Sequence, residues 1–371
     1  MSRVLFLVNH EVVIYNFRLE IVERLLKEGH DVVISSPYGE RIEDLKKLGC
    51  DYREISISRH GMNPIKEITL IRQYKKLIKD VSPDIVFSYT IKPNIYGAIA
   101  CRAMKVPCVA NITGLGTAVE NEGITQKIAI LLYKYAFTKI KKVFFQNTSN
   151  MQFFIDHKIA LGKHGLLPGS GVNLQRFIPL EYPAENKTEF AFISRIMKEK
   201  GIDQYLEAAE YIRKKYPDTV FHVCGFCEQA YEEKLKELQE KGIVVYHGMI
   251  RDISAFLSNV HCTIHPTYYP EGLSNVLLES CASARPIITT NRPGCREVVD
   301  DGVNGYVVCE KDSRDLIEKI EKFLLIPYEQ KKEMGLSGRK KVEREFDRNI
   351  VVNHYLDEVN QLTGNKKTTQ G

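Results

Sequence analysis

No apolar run in this sequence approaches the roughly 18 to 20 residues that a membrane-crossing helix needs, so a transmembrane helix is not expected. The first residues, Met1-Ser-Arg-Val-Leu-Phe-Leu-Val8, hold too short an apolar core for a secretory signal and meet Asn9-His10-Glu11 at once. A first buried strand is expected there. Nine cysteines, an odd number scattered along the chain, make no disulfide framework and suit a reducing cytoplasm. Cys224-Gly-Phe-Cys227 alone has metal-like or redox-like spacing, and with no second pair at zinc spacing a metal site is not expected. The segment Val8 to Val12 contains no glycine, which argues against a dinucleotide loop after the first strand, and no G-x-x-x-x-G-K-[ST] phosphate loop occurs anywhere. There is no Asp-x-Asp metal motif, no tandem repeat, no low-complexity segment and no recognised nucleic-acid motif.

What is present is a globular composition: 371 residues, 44% hydrophobic and 27% charged. That length suggests two domains of about 150 to 200 residues. The net charge of +5 is unevenly spread. Residues 1–170 hold 24 Lys and Arg against 16 Asp and Glu, and the remainder 28 against 31. The first half should therefore favour anionic partners such as a lipid surface, nucleic acid or a phosphorylated substrate.

Short β-branched and aromatic runs recur through the first half: Val4 to Val8, Asp31 to Ser36, Asp84 to Ser88, Pro107 to Ile112 and Lys142 to Gln146. The second half repeats the scheme with Glu189 to Ile193, Val220 to Val223, Ile243 to Tyr246, Cys262 to His265, Pro286 to Thr289 and Gly305 to Val308. Amphipathic helical patterns lie between them, such as Phe17, Ile21 and Leu25 ending at Gly29. Continuous apolar strands alternating with such helices imply parallel sheets buried on both faces. The expected fold is thus α/β, two Rossmann-like doubly wound domains facing a cleft. Pro168 to Val172 and Pro183 to Lys187 read as a boundary because glycine, proline and polar residues cluster there without periodicity. This divides the chain into an N-terminal domain over 1–172, a linker over 173–187, a C-terminal domain over 188–347, a last helix over 348–362 able to return to the first domain, and a disordered tail over 363–371.

The most informative run is Pro270-Glu271-Gly272-Leu273-Ser274-Asn275-Val276-Leu277-Leu278-Glu279. Pro270 and Gly272 break regular structure, Ser274 is placed to cap, and Asn275 to Ser283 reads as a short helix. Glu271 then sits in a loop and Glu279 inside the helix, with free N–H groups between them suited to an anion such as a diphosphate. An ordinary acidic first turn would also explain the pair. Upstream, Ser194-Arg195 follows an expected strand, and Lys200-Gly201 opens a helix. Arg195 as a planar fork and Lys200 as a point charge could hold a diphosphate, or could be a solvated basic turn.

Taken together, Ser194-Arg195 with Lys200-Gly201, His247-Gly248-Met249-Ile250-Arg251-Asp252, the Glu271/Glu279 pair, and Arg296-Glu-Val-Val299 followed by Gly302-Val-Asn-Gly305 resemble the retaining nucleotide-sugar glycosyltransferases of the GT-B fold, family 4 type with its E-x₇-E motif. Ser58-Arg59-His60-Gly61-Met62-Asn63-Pro64, Tyr89 to Gly97 and Asn111 to Gly116 resemble the narrower group that builds bacterial capsule, O-antigen, exopolysaccharide and undecaprenyl-diphosphate-linked oligosaccharide. The resemblance implies a metal-independent hexosyltransferase moving a hexose or N-acetylhexosamine from a UDP-sugar to a polyprenyl-linked saccharide, with no cofactor. It implies that Arg195 and Lys200 hold the donor diphosphate, with N–H groups of Gly272, Leu273, Ser274, Asn275 and Val276 assisting. Glu279 would bind the ribose, Glu271 the donor sugar, and His247, Gly248, Met249 and Ile250 would lie near the nucleobase. Glu271, Arg195 and Lys200 are thus the catalytic candidates, the two cations stabilising the leaving diphosphate.

Acceptor-side candidates are Arg18, His60, Lys92, Asn94, Thr113 and Gly114. Many relatives carry a histidine after the fourth strand, where this chain reads Asn111-Ile-Thr-Gly114. The base is therefore unassigned, and the leaving phosphate could itself accept the acceptor's proton. Over Gln126 to Lys142, lysines recur every seven residues at 127, 134 and 141 beside Ile128, Leu132 and Tyr135. That pattern suits either an interfacial helix on anionic lipid or a wet surface helix, and a place at the cytoplasmic face of the plasma membrane follows from the first. Alternatives are a nucleotide-sugar epimerase of the same architecture and a non-enzymatic lipid- or nucleic-acid-binding protein.

Overall fold

In the computed structural model, which describes residues 1–57, 64–116, 119 and 122–368, each of the apolar runs named above forms a strand. Two short strands join them. The first sheet comprises β1 (Arg3–Leu7), β2 (Asp31–Ser36), β3 (Asp51–Glu54), β4 (Ile85–Tyr89), β5 (Cys108–Ile112), β6 (Lys142–Phe145) and β7 (His164–Leu166) in the spatial order β3-β2-β1-β4-β5-β6-β7. The second comprises β8 (Thr188–Ile193), β9 (Thr219–Cys224), β10 (Val245–Gly248), β11 (Cys262–His265), β12 (Ile287–Thr290) and β13 (Gly305–Val308) in the order β10-β9-β8-β11-β12-β13. All strand pairs are parallel. The unanticipated strands, β3 and β7, are both edges, where one open side lets Asp51-Tyr-Arg-Glu54 stay polar and largely exposed.

Burial follows from the pleat. Along β1, Val4 and Phe6 belong to one apolar cluster, while Leu5 and Leu7 belong to another on the opposite face. A strand covered on both sides has no reason to alternate polar with apolar, which is why these runs read as continuous.

By contacts the chain divides into two compact units, Met1–Ser170 with Arg348–Gly371, and Gly171–Asp347. The last helix, Arg348–Thr368, buries Val351, Val352, Tyr355, Leu356 and Val359 in the first unit's core. Arg348 bonds both carboxylate oxygens of Glu20 at 2.7 and 2.9 Å, and Lys141 pairs with Glu358. The tail expected to be disordered from Thr363 is instead helical as far as Thr368; residues 369–371 lie outside the described residues.

The Gln126 to Lys142 pattern is likewise corrected. The helix runs Ile124–Ala136, a 3₁₀ turn covers Phe137–Lys139, and Lys142 already starts β6. Lys141 therefore shares no helical face with Lys127 and Lys134. Among the described residues no helix is long and apolar enough to cross a membrane.

Candidate active site

Both sheets reverse their strand order beside the first strand of the unit, and such a switch point opens a crevice at the carboxyl ends of the two diverging strands. In the second unit the switch lies between β8 and β11. The chain after β8 carries Arg195 and Lys200, and the chain after β11 carries Tyr269 and Glu271. Topology alone thus brings together residues 69 to 76 positions apart.

Gly201 sets the closeness of that approach. It sits at φ +79°, and a Cβ there would lie 2.1 Å from the Pro266 carbonyl oxygen, so only glycine allows the basic turn to touch the end of β11. The 3₁₀ turn Lys198–Lys200 then points the Lys200 ammonium inward, where the residue is 7% exposed and ion-paired with Glu271. Burial by itself would raise the Glu271 carboxyl; the Lys200 charge overrides it, with help from His265, and holds the group down at about 2. Tyr269 lies between the two cations, its ring centroid 5.3 Å from the Arg195 guanidinium carbon and 4.7 Å from the Lys200 nitrogen. Arg195 also pairs with Glu228 from the loop after β9. Arg195, Lys200, Tyr269 and Glu271 therefore form one cluster.

Beside it stands the helix Asn275–Ala282. Its first intrahelical bond runs from the Leu278 N–H to the Ser274 carbonyl, so the N–H groups of Asn275, Val276 and Leu277 precede the helical ladder. Ser274 stands at the cap position with an extended backbone, yet its side chain makes no cap bond, which corrects the expectation of a capping hydroxyl. Its own N–H donates to the Gly294 carbonyl at 2.8 Å. Gly294, at φ +92°, would place a Cβ 2.8 Å from the Glu271 Cβ, so the 292–297 loop clamps the loop that carries Glu271. Arg292 adds a bond from Nε to the Tyr269 carbonyl at 3.2 Å. Glu279 lies one turn further along, half-exposed, on the same helix face as Asn275 and Val276.

His247 and Gly248 end the edge strand β10, two strands away from β8. The His247 Nε2 lies 2.9 Å from His222 Nδ1, and His222 Nε2 lies 2.9 Å from Glu189. Burial, and then the neighbouring His222, hold the His247 imidazole below its ordinary pKa. Gly248 takes a positive φ of 60° and Met249 is 67% exposed. Ile250 follows them off the strand.

The acceptor-side candidates separate into two kinds. Lys92, after β4, bonds Glu67 at 2.6 Å, and Thr113 and Gly114 follow the adjoining β5, half-buried. Two others are packing residues. Asn94 is 1% exposed and tied up by Ser88, which donates to it at 2.8 Å, and by the Asn111 carbonyl at 2.9 Å. Arg18 is 1% exposed, donates to the Phe17 carbonyl at 2.6 Å and lies over the Tyr89 ring, inside the core rather than at its rim. Their spacing in the sequence cannot distinguish a buried polar group from an exposed one. His60 lies outside the described residues.

Residues that sequence reasoning did not single out are Tyr269, Glu228, His265 and the His222–Glu189 pair. Tyr269 and His265 stood next to the quoted run, as the aromatic before Pro270 and the end of a strand, but their roles depend on which strand lies alongside. Among the described residues no group of three or more His, Cys, Asp or Glu side chains is arranged to hold a metal ion.

Comparison with known proteins shows the family. Residues 3–147 match the family described as "Glycosyl transferase 4-like", and residues 177–341 match "Glycosyl transferases group 1". The N,N'-diacetylbacillosaminyl-diphospho-undecaprenol alpha-1,3-N-acetylgalactosaminyltransferase of Campylobacter jejuni is 26% identical over 95% of this chain and 97% of its own length. The capsular polysaccharide biosynthesis glycosyltransferase CapM of Staphylococcus aureus is 27% identical over 89% of this chain and 90% of its own. Among solved structures, Anabaena HepE in complex with UDP and glucose superposes with a TM-score of 0.79 at 15% identity, covering 97% of this chain and 100% of that one. Neither the epimerase nor the non-enzymatic alternative matches these relatives. The chain belongs to the glycosyltransferases of the GT-B fold, its first half a glycosyl transferase 4-like domain and its second a member of glycosyl transferases group 1.

Proposed function

We propose that this glycosyltransferase is a retaining, metal-independent hexosyltransferase that moves a sugar from a UDP-sugar to a polyprenyl-diphosphate-linked saccharide in cell-surface glycan assembly. The observation that carries the donor half is the convergence of Arg195, Lys200, Tyr269 and Glu271 beside the first turn of Asn275–Ala282. Breaking the sugar–phosphate bond builds positive charge on the ring and negative charge on the departing diphosphate. Arg195, Lys200 and the N–H groups of Leu273, Asn275 and Val276 stabilise the second, and Glu271 the first, while the Ser274 N–H is committed to the Gly294 carbonyl. Glu279 holds the ribose, and His247, Gly248, Met249 and Ile250 border the base. As the C1–O bond to the diphosphate breaks, the acceptor hydroxyl bonds C1 on the same face. Its proton passes to the leaving phosphate oxygen, so no protein base is required.

The choice of UDP is supported by the likeness to a structure that holds it, and the lipid-linked acceptor by the name of the Campylobacter relative. Lys92, Thr113 and Gly114 are the acceptor-side residues retained. Peripheral contact with an anionic leaflet is supported by the helix Ile124–Ala136, which buries Ala129, Ile130 and Tyr133 yet leaves Ile124 and Leu131 at 79% and 65% exposure, with Ile128 and Tyr135 on the same face. Exposed Lys127, Lys134 and Lys139 flank that apolar stripe. The site of action proposed on that support is the cytoplasmic face of the membrane, and no nucleic-acid partner is proposed.

A thermal-shift screen against UDP-, GDP- and ADP-sugars tests the donor, since ligand bound only by the folded state raises the melting temperature. Only UDP-sugars should stabilise. Product from a polyprenyl-diphosphate-linked acceptor should keep the donor's anomeric configuration by NMR; an inverted product overturns the retaining reading.

A further inference from the structure

The last residue of β11 sits beside Glu271, near enough to help hold its carboxyl down but outside hydrogen-bond reach. His265 is 2% exposed, and neither ring nitrogen has a hydrogen-bond partner. Its Nε2 lies 3.8 Å from a Glu271 carboxylate oxygen, just beyond bonding range. A buried polar group left unpaired costs on the order of 1–3 kcal/mol, so an orphaned ring inside an active site calls for a role.

The neighbouring ion pair supplies one. Glu271 is half-buried, its side chain 16% exposed, and is kept ionised chiefly by Lys200. A diphosphate lodged between Lys200 and the helix Asn275–Ala282 competes for the same ammonium and carries more charge than a carboxylate. Glu271 would then be a half-buried anion with a diminished share of its cation, which favours a further donor close by. His265 needs a shift of only about 1 Å to bring an Nε2–H within bonding distance of Glu271. Burial first, and Lys200 further, hold the imidazole below its ordinary pKa, so the ring is neutral and supplies a hydrogen bond without a second charge.

We propose that His265 is a positioning residue that takes over Glu271 when the donor diphosphate takes Lys200, keeping the carboxylate ionised and aimed at the donor sugar. This rests on the donor-site reading above. It explains why a ring without partners is kept beside a carboxylate that already has one: the partner is shared with the ligand.

The test is calorimetric titration of UDP into the full-length wild type, His265→Leu, His265→Gln, Glu271→Gln and the double variant His265→Leu/Glu271→Gln. His265→Leu should weaken UDP binding by about 10-fold. His265→Gln, whose amide N–H reaches nearly the same point, should restore it to within about 3-fold. In the Glu271→Gln background, His265→Leu should have no further effect, because the charge it serves is gone. The melting temperature of ligand-free His265→Leu should not fall with its affinity, which separates positioning from a packing role. If that variant does not fold, His265→Phe fills the space without a donor and takes its place. Wild-type affinity in His265→Leu, or the same loss in both backgrounds, overturns the role of His265 alone. A wild-type chain that binds no UDP removes the donor site and this proposal together.

Discussion

Lys200 and Glu271 depend on each other before any substrate arrives, and their variants should show it. Lys200→Ala removes a cation from the donor site and deprives the half-buried Glu271 of its ammonium partner. It should weaken UDP-sugar binding by at least about 10-fold and lower stability by about 3 kcal/mol or more. Glu279→Ala, half-exposed and one turn into its helix, should weaken binding with little loss of stability, which calorimetry and denaturant unfolding will separate. The ion pair also carries a pH signature. The folded carboxyl titrates at about 2 against an ordinary 4.5, so its stabilisation is fully present above pH 4.5 and is lost as pH falls toward 2. The difference amounts to about 3 kcal/mol. Glu271→Gln should flatten that stretch of the stability curve between pH 5 and 3; an unchanged slope would show that Lys200 does not hold the carboxylate in solution.

At the level of elements, the helix Ile124–Ala136 has two apolar sides and only one of them is used by the core. Leu131→Glu should therefore leave the melting temperature within about 1 °C, as surface changes do, while reducing sedimentation with anionic vesicles. Charge reversal at Lys127 and Lys134 should act mainly at low salt, where screening is weak. Lys141 is the wrong residue for that experiment because it is committed to Glu358. Unaltered vesicle binding in all three variants would refute the contact. The turn at Gly201 makes a contrasting case. Its Cβ would meet the Pro266 carbonyl, so Gly201→Ala should both destabilise the second unit by about 2 kcal/mol or more and displace Lys200.

For the molecule as a whole, the stability of the first unit depends on residues from the far end of the chain. Val351, Val352, Tyr355, Leu356 and Val359 are all buried in it, and Tyr355 shares a hydrogen bond of 2.9 Å with Tyr89. At about 1.5–3 kcal/mol for each large apolar side chain, their removal exceeds much of a typical domain's stability. A chain ending at Asp347 should lose the first unit's protection in limited proteolysis, whereas the second unit, complete within Gly171–Asp347, should keep its own unfolding transition.

The alternation of apolar runs with amphipathic helices and the double α/β architecture were legible in the sequence, and motif spacing singled out Arg195, Lys200, Glu271 and Glu279, because periodicity and spacing are properties of the chain itself. So was the breadth of the family resemblance. The edge strands β3 and β7 were not, since a strand with one open side need not be apolar. Neither was the burial of Arg18 and Asn94, which depends on what covers them. Only tertiary structure decided that Lys200 meets Glu271, that Tyr269 lies between two cations, and that His265 waits beside them without a partner. Those contacts arise because β8 and β11, 72 residues apart at their last positions, are hydrogen-bonded neighbours at a switch point, and strand order is not written in any local pattern.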